Sequence, residues 1–98
     1  MHKLQLIYPP RDQQKSRKVM ARVLEKYLTQ ERREIKWLAN ETGLHRTSIS
    51  RLLKGKMTAH ISTCYKLARA MGLDENKLLK LAGYLVEDFE DNEDDTIA

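Results

Sequence analysis

The sequence predicts an all-α fold of five short helices followed by a disordered acidic tail, and three observations predict it. Apolar residues recur every three or four positions in successive stretches, the spacing that lines one face of a helix. Gly43, Gly55 and Gly72 fall between those stretches, where a helix can end in the left-handed region that glycine enters without steric cost. Acidic residues crowd the last twelve positions, where there is little apolar surface to offset the entropy of ordering. Ninety-eight residues with 41% hydrophobic content suit one small domain with a core, and no separate effector domain is expected within them.

Taken in order, residues 1–10 read as an N-terminal arm. Its LQLIY run is compatible with a short extended segment, and Pro9-Pro10 stops regular structure. Residues 11–86 form the domain. Asp12 or Ser16 is expected to cap the first helix, whose buried stripe is Val19, Met20, Val23, Leu24, Tyr27 and Leu28, with Arg17, Lys18, Arg22 and Lys26 largely off it. Gln30 to Arg33 links to a second helix over about 34–41, which buries Ile35, Leu38 and Ala39. Trp37, off that face, reads as a partly covered packing residue. A third helix runs from His45 or Arg46 to about Leu53, and residues 54–59 form a loop. The fourth helix turns Ile61, Cys64, Tyr65, Ala68 and Met71 inward, and Gly72 ends it, with Leu73 packing back. Asp74 caps a fifth helix whose stripe is Leu78, Leu81, Ala82 and Leu85, with Leu79 and Val86 outside it.

Residues 35–54, IKWLANETGLHRTSISRLLK, organise the rest. They read as two helices joined by a tight turn at Gly43, with small Ala39 where the helix axes come closest. Leu38, Leu44, Ile49 and Leu52 point inward. His45, Arg46, Thr47, Ser50 and Arg51 are left outward on the first turns of the second of these helices, the part of a helix-turn-helix that enters the DNA major groove.

This stretch, with the continuation GKMTAHISTCYKLARAMGLDENKLLKLAG over residues 55–83, resembles the lambda-repressor-like (Xre-type) DNA-binding domains across the middle two-thirds of the chain. The chain departs from that pattern in places. Glu34 and Ile35 stand where the family often has a Thr-Gln pair, Lys54-Gly55-Lys56 replaces Asn-Gly-Lys, and His60 replaces a capping Ser. The resemblance implies that Arg46, Thr47, Ser50 and Arg51 read bases. It also implies a prokaryotic, phage or plasmid regulator, more commonly a repressor, that binds a palindromic operator as a dimer.

The residue chemistry is compatible with that. Arg46 and Arg51 each offer a planar fork to guanine O6 and N7, while Thr47 and Ser50 offer hydroxyls and a methyl to base edges. Arg33, Lys36, Lys54, Lys56 and Thr58, joined by His45 and Ser48, are the candidates for holding the DNA backbone. Charge agrees: residues 1–86 hold all eighteen Lys and Arg against seven acids, a formal +11, whereas residues 87–98 carry −7. That tail is expected to compete with phosphate for the basic face, to limit non-specific binding or to engage a partner. An antitoxin that binds a toxin protein is the alternative function.

Other chemistry is not expected. His2, His45 and His60 have no metal-ligand spacing, there is no glycine-rich phosphate loop or nucleophile elbow, and the reading is neither an enzyme nor a cofactor protein. The single Cys64 forms no intrachain disulfide and reads as a small core residue. With no apolar run long enough to span a bilayer, a cytoplasmic setting is expected. Dimer seams are sought in Leu79, Leu85 and Val86 of the fifth helix with Phe89 beyond it, or in Leu4, Leu6, Ile7 and Tyr8 of the arm.

Overall fold

The computed structural model describes residues 3–88. The five helices are α1 (Gln13–Glu31), α2 (Ile35–Thr42), α3 (Arg46–Leu53), α4 (Ile61–Met71) and α5 (Glu75–Leu81). Two short strands, β1 (Lys3–Leu6) and β2 (Leu85–Asp88), are added at either end. Asp12, and not Ser16, caps α1 by accepting from the Lys15 N–H, while Ser16 is buried inside the helix. Asp74 caps α5 by accepting from the N–H groups of Asn76 and Lys77. Gly72 closes α4 at φ 68°.

α1 packs on α3, α2 on α3 and α4, and α4 on α5. Met20 and Leu24 of α1, Leu38 of α2, Ile49 and Leu52 of α3, and Cys64 and Leu67 of α4 meet in one cluster that Leu78, Leu79 and Tyr84 complete. None of α2, α3 and α5 exceeds eight residues, too short to hold together alone in water, so this burial is what keeps them helical.

The departures from the sequence reading gather after α5. A continuous helix through Val86 would have put Leu81 and Leu85 on one face and Leu79 on the other. Instead α5 stops at Leu81, because Gly83 takes φ 88° and turns the chain out of the helix. Leu79 is then buried at 1% exposure while Leu81 stands 47% exposed. Leu73, expected to pack back, is also exposed, although its N–H still closes α4 by donating to the Ala68 carbonyl. Leu85 is buried from within β2, so Leu79 and Leu85 belong to the monomer core and not to a dimer seam. Val86 is half-buried, and Phe89 lies outside the described residues.

The extended start of the chain has a partner. β1 pairs antiparallel with β2, with Lys3 opposite Asp88 and Leu6 opposite Leu85. Two bonds extend the pairing, from the Ile7 N–H to the Tyr84 carbonyl at 2.7 Å and from the Arg11 N–H to the Gly83 carbonyl at 3.1 Å. Glu87 and Asp88, read as the start of the tail, therefore lie in a strand. The remainder of that tail, residues 89–98, is outside the described residues. Of the arm candidates, Leu6 and Tyr8 are exposed and Ile7 is half-buried.

Two buried acids respond to alkali. Burial pushes the Cys64 thiol from its ordinary 9.0 to about 12. Burial, with smaller contributions from Cys64 and Tyr8, pushes the Tyr84 phenol from 10.0 to about 12. The fold keeps both protonated while the unfolded chain releases their protons first, so the unfolded state binds fewer protons and stability falls as pH rises. Nothing is lost below pH 9. Above it, thermal or urea denaturation is expected to show a decline of up to ~1.4 kcal/mol per pH unit from each group. In Cys64→Ala the decline should begin only near pH 10, where Tyr84 starts to contribute.

Candidate nucleic-acid interface

The turn between α2 and α3 sets the site. Gly43 ends α2 at φ 77° and its N–H bonds the Ala39 carbonyl at 2.8 Å. Among the described residues nothing lies within 4 Å of where a Cβ would be, so it is backbone conformation and not space that calls for glycine here. Thr42, which the sequence reading did not single out, is buried and ties the turn from inside. Its hydroxyl donates to the Leu38 carbonyl at 2.7 Å and accepts from the Leu44 N–H at 3.2 Å. With Ile49 and Leu52 fully buried, the opposite side of α3 has to face outward.

That outer side is a broad, shallow depression of about 920 Å³. Arg46, Thr47, Ser50 and Arg51 of α3 line it together with Arg33, Lys36, Lys54 and Lys56. Among the described residues lining it, Glu34 is the one carboxylate against those six cations. Arg46, Thr47 and Arg51 are exposed and Ser50 is half-buried. His45 is exposed in an adjoining hollow that shares Lys36 and Arg46, and Ser48 is half-buried and lines neither surface. Thr58 sits in a neighbouring cleft, where its hydroxyl oxygen accepts from Arg17. The structure thus brings eight of the eleven candidates onto one surface and sets His45, Ser48 and Thr58 beside it.

Two features reinforce the anionic preference of this face. Glu34 and His45, the residues capping α2 and α3, make no side-chain cap bond, so first-turn N–H groups of both helices are left for water or an anion. Arg33 is not a loose surface cation: its guanidinium carbon lies 4.4 Å from the centre of the Trp37 ring. Trp37 in turn stacks on Tyr27, with centroids 6.2 Å apart. The four-residue spacing of Arg33 and Trp37 was the available signal for this stack.

The region from Met20 to Leu78 matches the helix-turn-helix family model over residues 20–78. The chain belongs to the lambda-repressor-like helix-turn-helix family. It is similar to a hypothetical transcription factor, NHTF, from Neisseria, at 28% identity. The likeness covers 79% of this chain and 88% of that one, with a TM-score of 0.61. Comparison with curated protein sequences gave no match. The helix-turn-helix chain is a DNA-binding transcription regulator, and none of its described helices is long and apolar enough to cross a membrane.

Arg33→Ala removes the cation from the Trp37 face, an interaction of ~0.5–1 kcal/mol at an exposed site. The emission of this single tryptophan is expected to shift to longer wavelength as water reaches the ring, with the fold unchanged by circular dichroism.

Proposed function

We propose that the chain is a transcriptional repressor that reads a palindromic operator as a homodimer, with α3 in the major groove. The observation that carries this reading is the shared surface on which α3 side chains able to read base edges sit among cations that can hold the backbone. In this role Arg46 and Arg51 fork onto guanine, Thr47 and Ser50 meet neighbouring base edges, and Arg33, Lys36, Lys54 and Lys56 fix the register on phosphates. His45 and Ser48 add hydrogen bonds to the backbone beside them. No chemical step is involved: an occupied operator excludes polymerase. The antitoxin alternative depends on the acidic tail, and nothing among the described residues favours it.

A domain this small reads few base pairs, and a second copy related by a two-fold axis doubles the site. The surface proposed for that contact is an apolar groove of about 300 Å³ between α1 and α5, lined by Val23, Tyr27, Leu73, Leu78 and Leu81. Leu73 and Leu81 are the large apolar side chains exposed on it. It keeps the seam on the fifth helix while exchanging the residues that form it.

Arg46→Ala is expected to relax discrimination at one base position by ~1–3 kcal/mol. Lys54→Ala should weaken every duplex alike and flatten the salt dependence by about one contact. Titration of operators selected from a random library, against single-base variants, checks both; equal behaviour of the two substitutions would count against α3 as the reader.

Leu81→Glu should shift sedimentation equilibrium toward the monomer and weaken binding to the full palindrome more than to a half-site. An unaltered protein that stays monomeric, free and on DNA, would remove the dimer.

A further inference from the structure

Beside the recognition depression lies a second cleft of about 250 Å³, and Lys56 lines both. Gln13, Arg17, Lys56, Thr58 and His60 supply polar groups to it, and none of the described residues lining it is acidic. One wall is built from rings. Tyr8 lies between His60 and Tyr84 at 6.1 Å from each, inclined by 16° and 4°, and the Tyr84 hydroxyl donates to the Ala59 carbonyl. Gln13 and Arg17, from the start of α1, line it as well.

Arg17 is the unusual member. It is half-buried, and its Nε donates to the Thr58 hydroxyl oxygen at 2.8 Å, which fixes the plane of the guanidinium. Arg69 has the Glu75 carboxylate and Arg33 has the Trp37 ring, but among the described residues Arg17 has neither a carboxylate nor an aromatic partner. A guanidinium partly withdrawn from water without a counter-charge loses solvation and recovers little. A phosphate would restore the balance, because its oxygens match the paired N–H groups that remain on the guanidinium.

We propose that this cleft holds one further phosphate of the DNA backbone, with Arg17 as the anchor and Lys56 and a ring N–H of His60 as the additional donors. The inference rests on the DNA-reading assignment above and extends that interface from α3 across the loop onto α1. The Tyr8–Tyr84 stack gives the arm and β2 a part in it: they brace the wall on which His60 lies.

The test uses the full chain and a duplex selected from a random library, titrated by fluorescence anisotropy over a range of KCl concentrations. Arg17→Gln is expected to flatten the dependence of log K on log salt by about 0.9, the worth of one phosphate, without altering base preference. Arg22→Gln, an exposed α1 position outside both the cleft and the depression, is the control and should leave the slope unchanged. An unchanged slope in Arg17→Gln, or an equal loss in both variants, overturns the proposal while leaving the recognition depression in place. If the protein selects no duplex at all, the DNA-reading assignment fails and this inference falls with it. Should Arg17→Gln not fold, the unaltered protein still decides on duplexes with single neutral methylphosphonate linkages. A linkage outside those that Arg33→Ala, Lys36→Ala, His45→Ala, Ser48→Ala and Lys54→Ala render indifferent should weaken binding, and weaken it less in His60→Ala; the absence of such a linkage refutes the extra contact.

Discussion

Ile49 and Leu52, three residues apart on α3, are both fully buried, and the constraint they impose reaches most of the molecule. An eight-residue helix gains too little from its own hydrogen bonds to persist in water. It exists here because those two side chains are buried in one core cluster with Met20, Leu24, Leu38 and Cys64. Once that face is fixed inward, helical geometry leaves Arg46, Thr47, Ser50 and Arg51 no other direction than outward. The orientation of the polar side chains is thus decided by the apolar ones, and the basic surface needs no interaction of its own to be assembled.

The segments flanking α3 are held by a different kind of contact. On the amino-terminal side, the Thr42 hydroxyl links α2 to Leu44 through two backbone bonds, which stops the turn from opening. On the carboxy-terminal side, the loop of residues 54–59 is gripped by side chains from distant parts of the chain. Arg17 reaches Thr58 from α1, and Tyr84 reaches the Ala59 carbonyl from beyond α5. Without such links, Lys54 and Lys56 would move with an unconstrained loop, and the register on phosphates proposed for them would be lost.

How much of this was legible in the sequence depended on whether a feature is local. The helix-turn-helix was, because Gly43, Ala39 and the Leu38–Leu52 pattern each express a constraint within twenty residues. The role of Cys64 was also legible, since a lone thiol in an apolar stripe has a simple use. The end of the fifth helix was not. Leu78, Leu79, Leu81, Ala82 and Leu85 fit a helical period in more than one way, and which phase applies depends on where the helix stops. Gly83 carried that information through its left-handed conformation, yet a glycine in an amphipathic run can also merely weaken a helix. Glu87 and Asp88 were absorbed into the acidic run because strand pairing with residues more than eighty positions away leaves no local mark. Tyr84 and Arg17 were passed over for the same reason: their hydrogen-bond partners lie 25 and 41 residues distant. Among the candidate site residues, the shared surface of eight could be anticipated from helical spacing, while the cleft beside Thr58 could be found only from the tertiary fold.

The register of the two strands has a topological corollary. Because Lys3 lies opposite Asp88, the described chain enters and leaves the fold side by side, at one end of a two-stranded ribbon. A short linker joining those neighbours would close the backbone into a ring. New termini could then be opened in a surface turn elsewhere, with the core and the outward side of α3 carried over intact.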